Sequence, residues 1–153
     1  MNEETKQIRA LAIEAFNQAW EFIDLAERDP EQEARMLESA HASFHLWCLV
    51  PDHNATHEAI GLWQISRVYA VLKDGANALR YAELGVKAAI AEGVDGFYLA
   101  YALESRARAW LLLGQSEKAR ADLPVARLAL AKSQETETAQ LKADLEELAG
   151  DPR

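Results

Sequence analysis

Residues 103–126, LESRARAWLLLGQSEKARADLPVA, contain two apolar helical stripes separated by the turn residues Gly114-Gln115-Ser116. Small and apolar residues recur at spacings of three and four on both sides of this turn, as expected for the buried sides of two α-helices. Residues 62–85, LWQISRVYAVLKDGANALRYAELG, repeat the pattern at a shift of 41 residues. The two segments therefore predict two helical hairpins that are built alike, and this repeat decides the fold.

The positions that match between the two segments are mostly small or aromatic. Ser66 corresponds to Ala107, and Tyr69 corresponds to Trp110. A small residue three positions before an aromatic one lets two helices approach, and the ring fills the space beside them. A hairpin of this kind cannot bury its apolar face alone, so further hairpins must stack on it. Small residues recur on the second helix of each hairpin, at Ala78, Gly85, Ala119 and Ala126.

This pattern resembles the tetratricopeptide repeat, which has a small residue, an aromatic residue and a Gly or Ala near the turn. The matching positions are Leu103, Ala107, Trp110, Gly114, Ala119, Leu123 and Ala126, and in the earlier segment Leu62, Ile65, Ser66, Tyr69, Ala78, Ala82 and Gly85. The resemblance covers residues 59–131, and its shift exceeds the usual ~34 residues of that repeat. Residues 61–70 and 97–109 are similar to runs in small bacterial tetratricopeptide-like proteins. The resemblance implies an all-α superhelix of stacked helix hairpins with about seven helices.

Apolar spacings of three and four continue along all 153 residues, and no segment alternates with period two. We therefore expect a single helical domain over residues 1–150. It would comprise a degenerate first hairpin (1–50), a second hairpin (54–92), a third hairpin (95–132) and a capping helix (134–149), followed by a tail (151–153). Within the first hairpin, Asp29-Pro30-Glu31-Gln32 predicts a helix start with a capping box between Asp29 and Gln32.

Composition and charge restrict the classes of function. The net charge is −9, with acidic side chains spread along the chain, which disfavours binding to nucleic-acid phosphates. No apolar run approaches the ~20 residues of a membrane span, and the acidic first residues do not resemble a signal peptide. The single Cys48 excludes an internal disulfide and fits a reducing compartment. We expect a cytoplasmic protein that binds neither nucleic acid nor membrane.

In tetratricopeptide-like arrays the first helix of each hairpin lines a concave groove. The resemblance therefore assigns to that groove a binding site of Trp63, Arg67, Tyr101, Glu104 and Arg108. The apolar residues beside them on the same face are Ile60, Ala70, Val71, Leu111 and Leu112, and Phe16, Ala19 and Ile23 could extend the groove. Glu104 and Arg108 are four residues apart, so they share one helix face and can pair. Two arginines beside two aromatic rings could bind an acidic peptide or a carboxylate through bidentate contacts. The alternative is that Arg67, Glu104 and Arg108 form an internal ion-pair network that only stabilises the stacking of the hairpins.

The four histidines and the cysteine raise the question of a metal site. His41, His45 and His57 are the candidates, since two histidine pairs at a spacing of four flank the turn after the second helix. His41 and Cys48 also fall on the apolar stripe predicted for that helix, which favours core packing for both. The sequence contains no glycine-rich phosphate loop and no common hydrolase motif. We therefore expect no metal, no cofactor and no enzymatic activity.

These observations favour binding of a protein or peptide partner in the concave groove. Self-association into a homodimer, with the groove closed by the first or last helix of the chain, is an alternative. An enzyme is a further alternative, and it would need a histidine or carboxylate with a strongly shifted pKa in a deep pocket.

Overall fold

The computed structural model describes residues 1–150 and contains seven α-helices. No strand occurs in these residues, so the prediction of an all-α fold of about seven helices is confirmed. The predicted tail, residues 151–153, lies outside the described residues. The helices are, in chain order, α1 (Glu3–Ile23), α2 (Pro30–Cys48), α3 (Ala55–Val71), α4 (Gly75–Ala89), α5 (Gly96–Leu112), α6 (Ser116–Ala131) and α7 (Ala139–Ala149).

Polar side chains fix several helix starts by accepting hydrogen bonds from the free N–H groups of the first turn. The Asp29 side chain accepts from the Gln32 N–H, and the Gln32 side chain accepts from the Asp29 N–H, so the predicted capping box is present. Asn54 and His57 form the same reciprocal arrangement at the start of α3. Asp95 caps α5. The starts of these three helices thus follow from local side-chain chemistry.

The turns that end α3 and α5 have the same geometry, 41 residues apart. Lys73 and Gly114 both adopt a left-handed conformation, with φ of 62° and 75°. In each turn the next residue donates its N–H to the carbonyl five positions earlier, at 2.9 Å in the first turn and 2.8 Å in the second. Bonds of this type close a helix C-terminus and reverse the chain. The two repeated segments are therefore built alike at their turns.

Each helix contacts its neighbours in the chain, and α3 also contacts α1 and α5. The helix α7 packs on α5 and α6. The small residues predicted at the helix contacts are buried, with Ala107, Ala119 and Ala126 at most 2% exposed. The contacts of α3 with α1 and α5 create one continuous surface, on which the candidate site lies. The largest buried cluster joins α5, α6 and α7 through Leu103, Leu111, Leu123, Leu130, Leu141 and Leu145.

The side of α2 that packs against the core is not the side that the apolar stripe of its sequence predicts. Met36, Ala40 and Ser43 are buried, whereas Cys48 is exposed. The prediction that Cys48 is a core residue is therefore wrong. A serine fits the buried side because its hydroxyl has a partner, with Ser43 Oγ donating to the Ala12 carbonyl at 2.8 Å.

The last helix is shorter than the predicted span of 134–149. It begins at Ala139, and the residues before it are held outside the helix by Asp95. Ser133 Oγ donates to Asp95 Oδ1 at 2.5 Å, and the Gln134 N–H donates to Asp95 Oδ2 at 3.0 Å. Since Asp95 also caps α5, one side chain joins the start of α5 to the segment that leads into α7.

Candidate functional site

A row of aromatic rings crosses α1, α3 and α5. The ring centroids of Trp63 and Tyr101 are 4.3 Å apart, and those of Trp20 and Trp63 are 5.3 Å apart. Phe16 and Phe97 extend the row at its ends, 6.5 Å from Trp20 and 4.9 Å from Tyr101 respectively. The rings of Trp63 and Tyr101 therefore lie side by side, and the three helices share one aromatic surface.

One turn further along α3 and α5, charged side chains replace the rings. Arg108 Nε and Nη2 donate to Glu104 Oε1 at 3.0 and 2.5 Å. Arg67 Nη2 lies 3.7 Å from the same oxygen and 3.6 Å from Asp144 Oδ2. Glu104 is fully buried, so its charge depends on these two guanidinium groups for compensation. The structure thus brings together Arg67, Glu104 and Arg108 and adds Asp144 from α7.

Arg67 and Arg108 differ in how many of their N–H donors form hydrogen bonds within the protein. Arg108 directs two N–H groups at Glu104. Among residues 1–150, Arg67 donates no hydrogen bond, because its contacts of 3.6 and 3.7 Å exceed hydrogen-bond length. Its side chain is 18% exposed. A guanidinium carries five N–H donors, so Arg67 retains donors for a ligand.

Two buried polar atoms of this region also have no hydrogen-bond partner among the described residues. They are Oε2 of Glu104 and Nε1 of Trp63. An unsatisfied buried polar group costs about 1–3 kcal/mol, and most are paired in native proteins. Unpaired buried atoms also occur away from this region, at Arg28 Nε and His53 Nδ1. Oε2 of Glu104 and Nε1 of Trp63 therefore do not by themselves distinguish a ligand site from a network that stabilises the stacking.

The charges of the cluster shift the titration of neighbouring groups. Burial raises the pKa of Tyr101, Asp144 and Glu104 raise it further, and Arg67 opposes them. Burial acts to lower the pKa of Arg108, but the charge and hydrogen bond of Glu104 outweigh it, and the net shift of this pKa is upward. At neutral pH, therefore, Tyr101 stays neutral and Arg108 stays protonated.

The charged cluster forms one wall of a pocket of about 170 Å³ between α3, α5 and α7, here called the cationic pocket. Arg67, Lys73 and Arg108 line it, and Glu147 is the one acidic residue of its described lining. The remaining lining side chains are aliphatic, and they include Leu111, Leu112 and Leu148. Guanidinium forks prefer carboxylate and phosphate groups as partners. The pocket therefore suits an anionic group attached to an apolar stem.

Three residues of this region are not found by sequence reasoning: Lys73, Asp144 and Glu147. The sequence contains a signal for Asp144, because this acidic residue shares the buried stripe of α7 with Leu141 and Leu145. An acidic residue on a buried stripe indicates that a partner charge lies opposite. The sequence does not indicate that this partner is on α3. Lys73 lines the pocket from the left-handed turn that follows α3.

The three histidines considered as metal ligands lie in different surroundings. His41 Nε2 lies 3.2 Å from Tyr69 Oη, and burial lowers the pKa of His41. His57 Nδ1 accepts the N–H of Asn54, and His45 is exposed. Within residues 1–150, no group of three or more His, Cys, Asp or Glu side chains is arranged to hold a metal ion.

A cysteine, a histidine and a glutamate meet at the turn between α2 and α3. Cys48 Sγ lies 4.0 Å from His53 Nε2, and Glu58 Oε1 lies 3.2 Å from the same nitrogen. In a catalytic triad the histidine uses one ring nitrogen for each partner. Burial, aided by the charge of Glu58, raises the pKa of Cys48, which is the opposite of thiol activation. This arrangement is therefore not that of a thiol catalyst.

No protein-family model matches the chain, and neither a curated protein nor a solved structure matches it. Among the helices of residues 1–150, none combines the length and the apolar composition that crossing a membrane requires. The inference of function therefore depends on the geometry of the site.

Proposed function

We propose that the chain is a non-enzymatic, tetratricopeptide-like module that binds a protein or peptide in its concave groove. The groove residues are Trp63, Arg67, Tyr101, Glu104 and Arg108, and the group that Arg67 recognises is a carboxylate. The observation that carries this proposal is the unused donor capacity of Arg67 on the wall of the cationic pocket. No cofactor is part of the proposal.

The size of the cationic pocket favours one chemical group over a whole metabolite. Small-molecule sites typically enclose about 300–1,000 Å³, and this pocket encloses about 170 Å³. A space of this size fits one acidic side chain or one chain terminus. The planar carboxylate of such a group can accept two parallel N–H bonds from Arg67.

The overall charge of −9 disfavours an acidic ligand at long range. At physiological ionic strength, exposed charges more than about 8 Å apart are largely screened. The nearest side chains therefore decide. Three cations and Glu147 line the pocket, and the carboxylates of Glu104 and Asp144 lie behind the arginines, so the positive charges are balanced. A ligand carboxylate would therefore depend on the unused N–H donors of Arg67. Long-range repulsion would slow association more than it would weaken the bound state.

The same overall charge is the reason why we propose neither nucleic acid nor a membrane as a partner. Binding to a phosphate backbone requires a basic stripe, whereas the net charge of this chain is −9. We further propose a cytoplasmic location, since the single cysteine, Cys48, is a free thiol.

Fluorescence anisotropy with a labelled heptapeptide that ends in two glutamates and a free carboxylate tests the proposal. Arg67→Gln should weaken binding by about tenfold or more, because hydrogen bonds to charged groups contribute about 1.5–3 kcal/mol. Arg127→Gln is the matched control, since it makes the same charge change at an exposed position of α6. Equal affinities in the two variants, or no binding to the native protein, would overturn the proposal.

A second candidate function is self-association, with the groove closed by α7. It is favoured by Asp144, which supplies a carboxylate to Arg67, and by Glu147 and Leu148, which line the cationic pocket. Light scattering after size-exclusion chromatography distinguishes the two candidates. A tight dimer that is unaffected by the acidic heptapeptide would favour self-association.

In either case we regard α7 as a fixed wall of the groove. Leu141, Leu145 and Leu148 are at most 6% exposed. Exposing three leucines to water costs about 5–9 kcal/mol, which is comparable to the whole stability of a small domain. A peptide would therefore bind beside α7 and not in its place.

A further inference from the structure

A second pocket lies between α6 and α7, outside the groove. It has a volume of about 390 Å³ and is here called the α6–α7 pocket. Its lining comes from the last two turns of α6, from the segment before α7 and from α7 itself. No residue lines both this pocket and the cationic pocket. The two pockets can therefore be varied independently.

The lining residues follow one side of each helix. On α7, Lys142 and Glu146 are four residues apart, and Leu145 lies between them at a spacing of three from Lys142. On α6, Arg127 and Leu130 are three residues apart. Residues at these spacings share one helix face. The pocket therefore presents a continuous face of each helix to a ligand.

The floor of the pocket is apolar. Leu130 is 7% exposed and Leu145 is 1% exposed, and both belong to the largest buried cluster of the fold. Core packing therefore holds the floor in place. An apolar group that lies on these two leucines would be removed from water, which is favourable.

Four charged side chains surround this floor, two of each sign. Arg127 and Lys142 are the cations, and Glu135 and Glu146 are the anions. All four are exposed, and within residues 1–150 none of them forms an ion pair. Lys142 and Glu146 have the spacing at which a helix permits a pair. Both charges thus stay available to a ligand.

Two cations and two anions around an apolar floor match a zwitterion with an apolar stem. A ligand with only one sign of charge would lie against two side chains of like charge, and like-charge contacts are costly. The volume of about 390 Å³ falls at the lower end of the 300–1,000 Å³ that is typical of small-molecule sites. The pocket therefore suits a small metabolite.

The start of α7 favours the carboxylate end of such a ligand. Thr138 lines the pocket at the position before α7, and its side chain forms no capping hydrogen bond. The N-terminal N–H groups of a helix attract negative charge. Lys142 lies one turn after Thr138, so a cation and a helix N-terminus occur at the same end of α7.

We infer that the α6–α7 pocket binds a free amino acid with an apolar side chain. Its carboxylate contacts Lys142, its ammonium contacts Glu146, and its side chain lies on Leu130 and Leu145. This inference goes beyond the proposed function and does not depend on the carboxylate site at Arg67. The acidic heptapeptide carries no ammonium on the carbon that bears its terminal carboxylate, so it lacks the group that Glu146 would recognise.

An NMR titration that follows the backbone amide signals tests the inference with leucine as the probe. Leucine should shift the signals of Ala131 and Thr138, which line the pocket, until they saturate. Leucinamide lacks the carboxylate and isocaproate lacks the ammonium. Each should bind about tenfold more weakly or worse, because hydrogen bonds to charged groups contribute about 1.5–3 kcal/mol. Glycine, which lacks the apolar side chain, should lose a similar factor.

Matched variants test whether leucine occupies this pocket. Lys142→Gln and Glu146→Gln should each weaken leucine binding by about tenfold. Lys87→Gln and Glu92→Gln are the controls, since they make the same charge changes at exposed positions that do not line the pocket. The melting temperature of each variant checks that the fold is retained.

The variant Arg67→Gln separates this inference from the proposed function. It should leave the affinity for leucine unchanged, whatever its effect on the acidic heptapeptide. If Arg67→Gln weakens leucine as much as Lys142→Gln does, leucine binds in the cationic pocket and the inference is wrong. The inference is also wrong if no signal saturates up to about 10 mM leucine. Equal binding of leucine, leucinamide and isocaproate, or equal leucine affinities in the variants and their controls, would overturn it as well.

Discussion

Arg67 Nη2 on α3 lies 3.6 Å from Asp144 Oδ2 on α7, beside the cationic pocket. Asp144 is held in place by its own helix, because its Oδ1 accepts a hydrogen bond from Gln140 Nε2 at 3.0 Å. An internal carboxylate thus lies close to the position where a bound peptide would present its own. The two carboxylates would compete for the donors of Arg67.

Removal of this competitor should strengthen binding of an acidic peptide. Asp144→Asn should raise the affinity for the acidic heptapeptide by about fivefold, or roughly 1 kcal/mol, because it removes a negative charge next to Arg67. Glu146→Gln is the control, since it makes the same charge change at an exposed position of α7. Anisotropy titrations of both variants measure the effect. Asp144→Asn binding no more tightly than Glu146→Gln would contradict a carboxylate site at Arg67.

The buried carboxylate of Glu104 should be essential to the stability of the cluster. Glu104→Gln should lower the free energy of unfolding by about 3 kcal/mol, because it leaves Arg67 and Arg108 without their buried counter-charge. Urea unfolding at neutral pH measures the loss. Glu147→Gln, at an exposed position of the same pocket, should change the free energy by less than about 0.5 kcal/mol. Similar losses in the two variants would show that the arginines do not depend on Glu104.

The two repeated turns should respond to exchanged residues with opposite signs. Lys73 holds φ at 62°, a conformation that costs a non-glycine residue about 1–2 kcal/mol. Lys73→Gly should therefore raise the free energy of unfolding by about 0.5–1 kcal/mol after the added chain entropy of glycine is subtracted. Gly114→Lys, at the equivalent position with φ of 75°, should lower it by a similar amount. Chemical denaturation of both variants tests this, and changes of equal sign would argue against equivalent turns.

Two helical glycines should differ sharply in their tolerance of a methyl group. A Cβ at Gly96 would overlap the Ala129 carbonyl oxygen, so Gly96→Ala should destabilise the fold by about 2 kcal/mol or more. A Cβ at Gly85 would meet Leu62 and Ala102 at ordinary distances of 3.6 and 3.8 Å. Gly85→Ala should be neutral or stabilise by up to about 1 kcal/mol. Melting temperatures compare the two, and a destabilised Gly85→Ala beside an unaffected Gly96→Ala would be the opposite result.

The stability of the protein should fall on mild acidification. Burial lowers the pKa of His41 and of His57 below the ordinary value of 6.5. At His57 the charges of His53 and Arg9 lower the pKa further, and Asp52 opposes them without reversing the shift. Between about pH 7 and pH 5.5 the unfolded chain therefore binds more protons than the native one, so the free energy of unfolding decreases as the pH falls. Urea unfolding across this range measures the slope.

Substitution of His41 or His57 tests whether these two residues cause the dependence of stability on pH. His41→Gln and His57→Gln should each reduce the slope, because each removes a group whose pKa is lower in the native protein than in the unfolded chain. A stability that is constant or rises on acidification would contradict the lowered pKa values of these two half-buried histidines.

Features that depend on local chemistry were predictable from the sequence. The Asp29–Gln32 capping box is present as expected, because its signal is complete within four residues. The buried side of α2 was not predictable, since apolar or small residues occupy most sides of that helix. The choice of Met36 and Ala40 over Cys48 depends on where α1 and α3 pack.

The candidate site divides in the same way. The Glu104–Arg108 pair follows from helical spacing, and the contact of Trp63 with Tyr101 follows from the repeat, so the sequence predicts both. Asp144 enters the site from α7, and no local pattern indicates how a last helix docks on α3. The cationic pocket was equally hidden, because its lining comes from α3, α5 and α7 and from the turn after α3.

The most direct measurement is an NMR titration that follows the arginine Nε–Hε signals as the acidic heptapeptide is added. We predict that the Arg67 signal shifts progressively and saturates. The Arg106 signal should stay in place, since Asp122 already holds that guanidinium with hydrogen bonds of 2.9 and 2.6 Å. An Arg67 signal that does not move, or that moves only as much as that of Arg106, would contradict a carboxylate-binding groove.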